Sequence, residues 1–363
     1  MSMRYPAGFI RPGFDPLKNP DAPTIGTLSN SGATSLSITF TAPTNVGGSA
    51  ITAYYVTATD SSSGTQFTAT GSSSPISITG LTTGNTYTAQ VFALNSFGPS
   101  AFSAVSNSAV PAIIQGQQAY TTPGTYSWVA PSGVTSVSVV AVGAGGGNAG
   151  SGQGGGGGGL GYKNNITVIP GNSYTVVAGQ GGTGQSGTSS YFIDTSTVAG
   201  FGGPTGAGNG NPGGTYLGDG GGNGGGYTGG GDGGGGGAGG YSGAGGAGLS
   251  YPNSGGSAGA GGAGAGGGGW SDGGYAAGGG GGGVGILGQG TSGSGSTGSA
   301  PYGGIGGSGG ATSTSRNGAL YGGGGGTLVS GEAYVDTTGG GGAVRIIWPG
   351  DTRQFPSTNT GDV

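Results

Sequence analysis

The sequence contains no cysteine and no histidine, and only 5% of its 363 residues are charged. The missing residue types exclude a disulfide framework, a zinc finger, and a catalytic triad that depends on cysteine or histidine. The seven basic and 11 acidic residues are spread thinly, so the chain has no basic footprint for nucleic acid. Disordered chains usually carry more charge than this. Collagen is excluded too, because no strict Gly-X-Y period runs through the chain.

Long apolar runs are also absent. None approaches the ~20 residues that a membrane helix needs, and the opening residues lack the continuous apolar core of a secretory signal. We therefore expect a protein that is made in a cytoplasm, leaves it by lysis or within a particle if at all, and does not insert into a membrane.

Glycine is in large excess, with 105 residues against a usual share of roughly 7%. Only 14 glycines precede residue 141, and 89 lie between residues 143 and 342. The chain therefore has two compositional parts. We predict an all-β protein with an extended N-terminal segment (1–20), a β-sandwich (21–112), a glycine-rich domain (113–350) and a C-terminal tail (351–363).

Residues 1–20 contain four prolines, which favour extended backbone. Aromatic and basic side chains lie between the prolines. The segment is either a frayed terminus or an anchor that docks on a partner. The candidate anchor residues are Tyr5, Phe9, Arg11 and Phe14.

The next part shows strands at regular spacing. Residues 35–40, 51–58 and 86–95 alternate polar and apolar side chains, and turn residues separate them. About seven short strands in some 90 residues predict an antiparallel sandwich. Its candidate core and corner residues are Phe40, Tyr55, Leu81, Tyr87 and Val91.

Three motifs here, at residues 23–25 (PTI), 80–87 (GLTTGNTY) and 95–100 (NSFGPS), resemble the fibronectin type III domains. In that family the corner tyrosine hydroxyl bonds a backbone carbonyl, which the resemblance places at Tyr87. Phe40 stands where the family usually has tryptophan. The resemblance implies a spacer or interaction module.

The glycine-rich domain begins and ends with strand-like sequence, at 134–142, 160–168, 173–178 and 343–348. Because a lone strand is not stable, we expect the last strand to pair with the opening ones. This closes a small β-sandwich base (118–180 and 343–348) and leaves residues 181–342 as one long excursion.

Runs of pure glycine are numerous in the glycine-rich part. Ordering glycine costs more backbone entropy than ordering any other residue, so backbone hydrogen bonds must compensate. Extended threefold helices packed side by side would supply them, and only glycine permits so close an approach. We therefore predict a bundle of polyglycine type II helices on the sandwich base. A flexible linker and a tandem-repeat structural protein are the alternatives.

This plan, with residues 130–135 (APSGVT) and 339–350 (GGGGAVRIIWPG), resembles the glycine-rich tip adhesins of T-even-type phages and the glycine-rich fibre proteins of cyanophages. The resemblance covers about residues 118–350. It implies a virion location, a non-enzymatic fibre or adhesin, and attachment of the N-terminus to other virion proteins. It also implies loops that bind a host-surface protein or polysaccharide, and a homo-oligomer such as a trimer. A capsid, neck or baseplate decoration and a polysaccharide-degrading fibre are the alternatives.

The inserts between glycine runs carry most of the large side chains. Exposed aromatic rings beside Asp and Ser are suited to stacking on sugars or gripping a protein loop. Alternatively, they cap the bundle ends. The candidate receptor-binding residues are Trp270, Asp272 and Tyr275, which form the densest cluster, and Tyr251, Tyr227, Tyr241, Tyr302 and Tyr321.

Catalysis has weak support. The G-x-G-x-x-G matches follow from composition alone, and the carboxylates of the glycine-rich part are isolated in sequence, whereas a glycosidase needs two of them held close together. We predict no catalytic residue, no metal site and no cofactor.

Overall fold

The structure is a computed structural model that describes residues 18–148, 152–206, 212–228, 233–249, 266, 278–295, 304–308, 310–330 and 333–357. Within these ranges every regular element is a β-strand, as the sequence predicts. None of the residues in them belongs to a helix that could cross a membrane. The chain divides into two compact units, Met1–Ile114 and Gln115–Val363.

The first unit contains seven strands in two sheets. Their bounds are β1 (Thr24–Gly32), β2 (Ser35–Thr41), β3 (Ala53–Asp60), β4 (Gln66–Gly71), β5 (Ile76–Ile78), β6 (Tyr87–Asn95) and β7 (Gly98–Pro99). One sheet has the order β1-β2-β5 and the other β4-β3-β6-β7. Burial alternates along β3 and β6, because successive side chains of a strand point to opposite faces.

The core of this sandwich contains most of the residues predicted for it. Phe40, Leu81, Tyr87 and Val91 are buried there. Tyr55 is the exception, since the buried ring is that of its neighbour Tyr54, whose centroid lies 4.6 Å from that of Phe40. The prediction for Tyr55 was wrong because the apolar residues Val56 and Ala58 share the face of Tyr54, whereas Tyr55 lies on the face of Thr57 and Thr59.

The corner tyrosine is buried but bonds differently from the family pattern. The hydroxyl oxygen of Tyr87 accepts a hydrogen bond from the amide of Thr82 at 3.0 Å. The resemblance implied a bond to a backbone carbonyl instead. The observed bond still ties the β5–β6 connection to the start of β6.

The end of the predicted N-terminal segment is bonded to the sandwich. The amide of Lys18 donates to the carbonyl of Gly47 at 3.0 Å, and the side chain of Asn95 donates to the carbonyl of Lys18 at 3.0 Å. Residues 18–20 are therefore tied to the first unit. The anchor candidates Tyr5, Phe9, Arg11 and Phe14 lie outside the described residues.

The second unit contains the remaining strands. Their bounds are β8 (Gly116–Tyr120), β9 (Gly124–Val129), β10 (Ser136–Val142), β11 (Leu160–Thr167), β12 (Ser173–Ala178), β13 (Ser190–Phe192), β14 (Val198–Gly200), β15 (Tyr216–Leu217), β16 (Gly220–Gly222), β17 (Tyr227–Thr228), β18 (Gly248–Leu249), β19 (Leu328–Ser330), β20 (Ala333–Val335) and β21 (Ala343–Trp348).

Two five-stranded antiparallel sheets form the base of this unit, with the orders β16-β11-β10-β21-β8 and β15-β14-β13-β12-β9. The closing strand β21 lies between β10 and β8, with Arg345 opposite Val140 on one side and Ala119 on the other. The predicted return of this strand to the opening strands is confirmed. The rings of Phe192 and Trp348 lie 5.8 and 5.7 Å from that of Trp128 in the core.

The structure departs from the prediction that residues 181–342 form a single excursion. Strands β13 to β16 come from this range, and β16 pairs with β11. Part of the predicted tail is also packed. Phe355 is buried, and its backbone exchanges two hydrogen bonds with the side chain of Asn164, at 2.7 and 2.9 Å.

The glycine segments exchange backbone hydrogen bonds with one another, and the partner recurs every third residue. Within residues 154–159 the amide donors and carbonyl acceptors are Gly155 to Gly325, Gly158 to Gly322, Gly156 to Pro204 and Gly159 to Phe201, at 2.7, 2.7, 2.9 and 3.0 Å. Successive amides therefore donate hydrogen bonds to different neighbouring segments, whereas amides three residues apart donate to the same segment. This repeat is that of an extended helix with three residues per turn.

These segments also lie too close together for side chains. A methyl group on Gly155 would overlap the carbonyl oxygen of Gly146, and one on Gly157 would overlap that of Gly237. Backbone atoms cannot give way as a flexible side chain can. Glycine is therefore required here by packing, since neither position has the left-handed backbone that also favours glycine.

Candidate functional site

Five backbone hydrogen bonds join neighbouring glycine segments. We call the backbone joined by these bonds the bundle end; its donors and acceptors are Gly206 to Gly147, Gly233 to Gly152, Thr327 to Gly233, Gly278 to Thr327 and Gly248 to Gly226. A methyl group on Gly248 would overlap the carbonyl of Gly234, which joins the last pair to the others.

Two short strand pairs also lie at the bundle end. Strand β17 pairs in parallel with β18, with Tyr227 opposite Gly248. Strands β19 and β20 form an antiparallel hairpin directly after Thr327. The bundle end is therefore built from backbone that several segments fix in place together.

Most of the predicted receptor-binding residues cannot be placed. Trp270, Asp272, Tyr275, Tyr251 and Tyr302 lie outside the described residues. Tyr227 has its backbone in β17, at the bundle end. The receptor role of these residues stays a prediction.

Gly266 is bonded to two other glycine-rich segments. Gly266 accepts a hydrogen bond from Gly246 at 2.9 Å and donates one to Ala238 at 3.0 Å. A methyl group on it would overlap the carbonyl of Gly282. Gly266 is therefore held between the segments that contain Ala238, Gly246 and Gly282.

Tyr241 does not face solvent as the sequence suggested. Its side chain is 1% exposed, and its ring stacks on Phe355 with centroids 5.9 Å apart. The hydroxyl donates to the carbonyl of Gly285 and accepts from the amide of Gly288, both at 3.1 Å. Burial raises its pKa. As a receptor contact this prediction is corrected: Tyr241 belongs to a buried hydrophobic cluster with Phe355, and the half-buried Tyr321 packs against the same cluster.

Arg345 is a structural residue that the sequence analysis missed. It lies at the centre of β21 and is 1% exposed. Its Nε donates to the side-chain oxygen of Gln117 at 3.0 Å, and one Nη donates to the carbonyl of Ile286 at 3.2 Å. This side chain therefore joins β8, β21 and the segment at residue 286. A charged residue inside an apolar strand was the available signal.

An exposed polar group lies beside the β15–β16 turn. The Lys163 ammonium is 3.4 Å from the Asp219 carboxylate, which also accepts the amide proton of Asn164 at 2.8 Å. Burial, followed by the charges of Asp219 and Tyr216, raises the pKa of the neighbouring Tyr162. Exposed ion pairs contribute little to stability, so this group shapes the turn.

Carboxylates elsewhere serve the local backbone. The side chain of Asp60 accepts hydrogen bonds from Ser62 and Asn85, and those bonds lower its pKa, with the Ser62 hydroxyl contributing most. Asp194 is bonded in the same way by Ser196 and Thr197. Within the described part of the chain, no three acidic, histidine or cysteine side chains are grouped so that they could hold a metal ion.

Comparison with known proteins identifies the first unit. The fibronectin type III domain family matches residues 21–109, and no curated protein matches the chain. Among solved structures, titin domains A168–A170 are 26% identical over 26% of this chain and 32% of theirs (TM-score 0.25). The C. elegans twitchin kinase region is 22% identical over 26% and 17% (TM-score 0.24). The chain thus spans about a third and a sixth of those two structures. Residues 21–109 form a fibronectin type III domain.

Proposed function

We propose that the glycine segments are polyglycine type II helices packed as a bundle. The three-residue repeat of their hydrogen bonds and the approach that leaves no room for a methyl group support this. Amide hydrogen exchange on the purified chain tests it. Slow exchange through residues 278–283, where Gly281 donates to Gly324 at 2.8 Å, is the expected result. If the amides of these residues exchange as fast as those of an unstructured peptide, the bundle is contradicted and the region is a flexible linker.

On this scaffold we propose a non-enzymatic structural protein of a phage virion, a fibre or adhesin that presents loops for host-surface receptor binding. The observation that carries the proposal is the bundle end, where backbone from several segments is held together by hydrogen bonds. Binding residues are commonly found on loops that a rigid scaffold positions. A scaffold that is already ordered also reduces the entropy lost on binding.

The rest of the chain serves attachment in this proposal. Residues 1–20 dock on other virion proteins, the fibronectin type III domain acts as a spacer, and the protein works as a homo-oligomer. The fibronectin type III match supports a structural or adhesive module. The virion location rests on the resemblance of residues 118–350.

Adsorption competition tests the receptor role. Purified full-length protein should block adsorption of the phage that carries it, and the double substitution Trp270→Ala with Tyr275→Ala should abolish the block. Tyr216→Ala, an exposed tyrosine of the base, is the matched control and should compete like the wild type.

Other outcomes contradict the proposal in different ways. Equal competition by the double variant removes the receptor role of the Trp270 cluster. If neither the wild type nor any variant competes, although the protein is present in particles, the protein is a capsid, neck or baseplate decoration. Release of reducing sugar from host polysaccharide by the purified chain indicates a degrading enzyme.

A further inference from the structure

The outer face of the sheet β4-β3-β6-β7 carries a row of aromatic rings. Tyr55 of β3 and Phe92 of β6 are directly opposite each other, and their rings stack at 5.0 Å with an angle of 5° between planes. Phe102, in the segment after β7, meets Phe92 edge-on at 5.2 Å. The row therefore crosses two strands and extends beyond them.

The row is presented outward. Tyr55 and Phe92 occupy the half-buried positions of strands whose alternate residues form the core, and Phe102 is 51% exposed. Phe102 is held in place from both sides, because Ser100 donates to Ala93 and Ser103 donates to Val91, each at 2.8 Å. The rings are thus fixed by the backbone before any ligand arrives.

The side chains around the row are uncharged, and most of them are polar; Ala53 and Leu94 are the apolar residues of this face. The outward positions of β3, β4 and β6 beside the rings carry hydroxyl and amide groups, from Thr57, Thr59, Thr68, Thr70, Thr88 and Gln90. Gln90 already uses its amide to bond the carbonyl of Ser103 at 3.0 Å. Asp60, at the end of β3, is buried on the opposite face. The described outward face of these three strands therefore bears no charged side chain.

We propose that this face is a binding site for a neutral polysaccharide, with hexopyranose rings placed against Phe102 and against the side of Tyr55 that faces away from Phe92. An aromatic face is electron-rich and suits the C–H groups on one side of a pyranose ring. Threonine hydroxyls both donate and accept, which matches the hydroxyls at the ring edge. A neutral face offers no counter-charge to an anionic sugar, so uronic and sialic acid polymers are disfavoured. The site lies in the fibronectin type III domain and does not depend on the function proposed for the bundle end.

Affinity electrophoresis of the full-length protein tests the site. The probes are a soluble glucan, a mannan and a galactan, with polygalacturonate as the charged probe. At least one neutral polymer should retard the protein and polygalacturonate should not. Phe102→Ala should raise the dissociation constant for that polymer about tenfold, the usual scale for removing an aromatic contact.

Phe97→Ala is the matched control, because Phe97 is similarly exposed, at 45%, but lies at the β6–β7 turn outside the row. It should bind like the wild type. Tyr55→Phe is a second variant that keeps the ring and should retain most of the binding.

Three results would overturn the proposal. One is the absence of retardation by all three neutral polymers. Another is that Phe97→Ala and Phe102→Ala weaken binding of the neutral polymer equally. The third is that no sugar binds and Phe102→Ala changes the sedimentation of the protein. That result would show that a second copy of the chain binds to this face.

Discussion

Ser103 and Val91 exchange two hydrogen bonds, although their segments do not form a regular strand pair. The amide of Ser103 donates to the Val91 carbonyl at 2.8 Å, and the Ser103 hydroxyl accepts from the Val91 amide at 3.0 Å. Ser100 and Ser106 do the same with Ala93 and Ala89. A serine at every third position thus completes the bonding of β6 where an ordinary last strand would use backbone carbonyls.

Ser103→Ala should therefore destabilise the fibronectin type III domain by about 1–3 kcal/mol, because the Val91 amide is left buried without its acceptor. Urea unfolding of the full chain measures this change. Ser108→Ala, on an exposed serine of the same segment, should change stability by no more than about 0.5 kcal/mol. Equal effects of the two substitutions would show that the Ser103 hydroxyl is dispensable.

Arg345→Ala should destabilise the second unit by roughly 3 kcal/mol. The substitution removes charged donors from the carbonyl of Ile286 and from Gln117, and it leaves space inside the sheet packing. Arg316→Ala is the control, because that arginine is exposed. Thermal unfolding followed by tryptophan fluorescence compares the two, and similar midpoints would contradict a structural role for Arg345.

The sequence predicted the elements whose patterns are long. The apolar pattern of β21 predicted a buried strand that pairs with the opening strands, and β21 pairs with β10. The strands β13 to β16 are only two or three residues long, too short for an alternating pattern to emerge. Tyr54 and Tyr55 are adjacent and chemically alike, and the apolar residues Val56 and Ala58 mark the face of Tyr54 as the buried one.

The candidate sites were less accessible to sequence reasoning. Composition predicts that glycine segments bond to one another. A run of glycines has no side-chain pattern, however, from which the hydrogen bond between Gly155 and Gly325 could be predicted. Tyr241 was grouped with the other tyrosines because its neighbours in sequence are glycines. Its actual neighbours Tyr162 and Phe355 are far away in the chain. The aromatic row of the first unit likewise joins residues from separate strands.

Gly155→Ala should destabilise the second unit by about 1–3 kcal/mol or more, because the added methyl group overlaps the Gly146 carbonyl. Gly341→Ala offers a matched control in another glycine run. The nearest atom to its added methyl is a side-chain carbon of Pro123 at 3.4 Å, which is ordinary contact. Alanine gives the unfolded chain less conformational entropy than glycine does. Gly341→Ala should therefore leave the free energy of unfolding unchanged or raise it by up to about 1 kcal/mol. If urea unfolding shows both variants equally stable, close packing at Gly155 is contradicted.

Tyr241 should make the second unit sensitive to alkali. Burial raises the pKa of Tyr241 above its ordinary value of 10.0, so the neutral hydroxyl is favoured in the folded state. Below about pH 10 the residue is neutral in both states, and its contribution to stability is fully present. Above that pH the unfolded chain loses the proton first, so stability falls as pH rises toward the pKa of the folded state.

Urea unfolding at a series of pH values from about 8 to 11 measures this loss. Tyr241→Phe should be less stable than the wild type at the lowest pH, because the bonds to Gly285 and Gly288 are gone, and its decline above pH 10 should be shallower. Part of the decline remains in both proteins, since the pKa of Tyr162 is raised as well. Tyr191→Phe, on a half-buried ring of β13, should keep the wild-type decline. A Tyr241→Phe curve parallel to that of the wild type would mean that another group controls the alkaline loss.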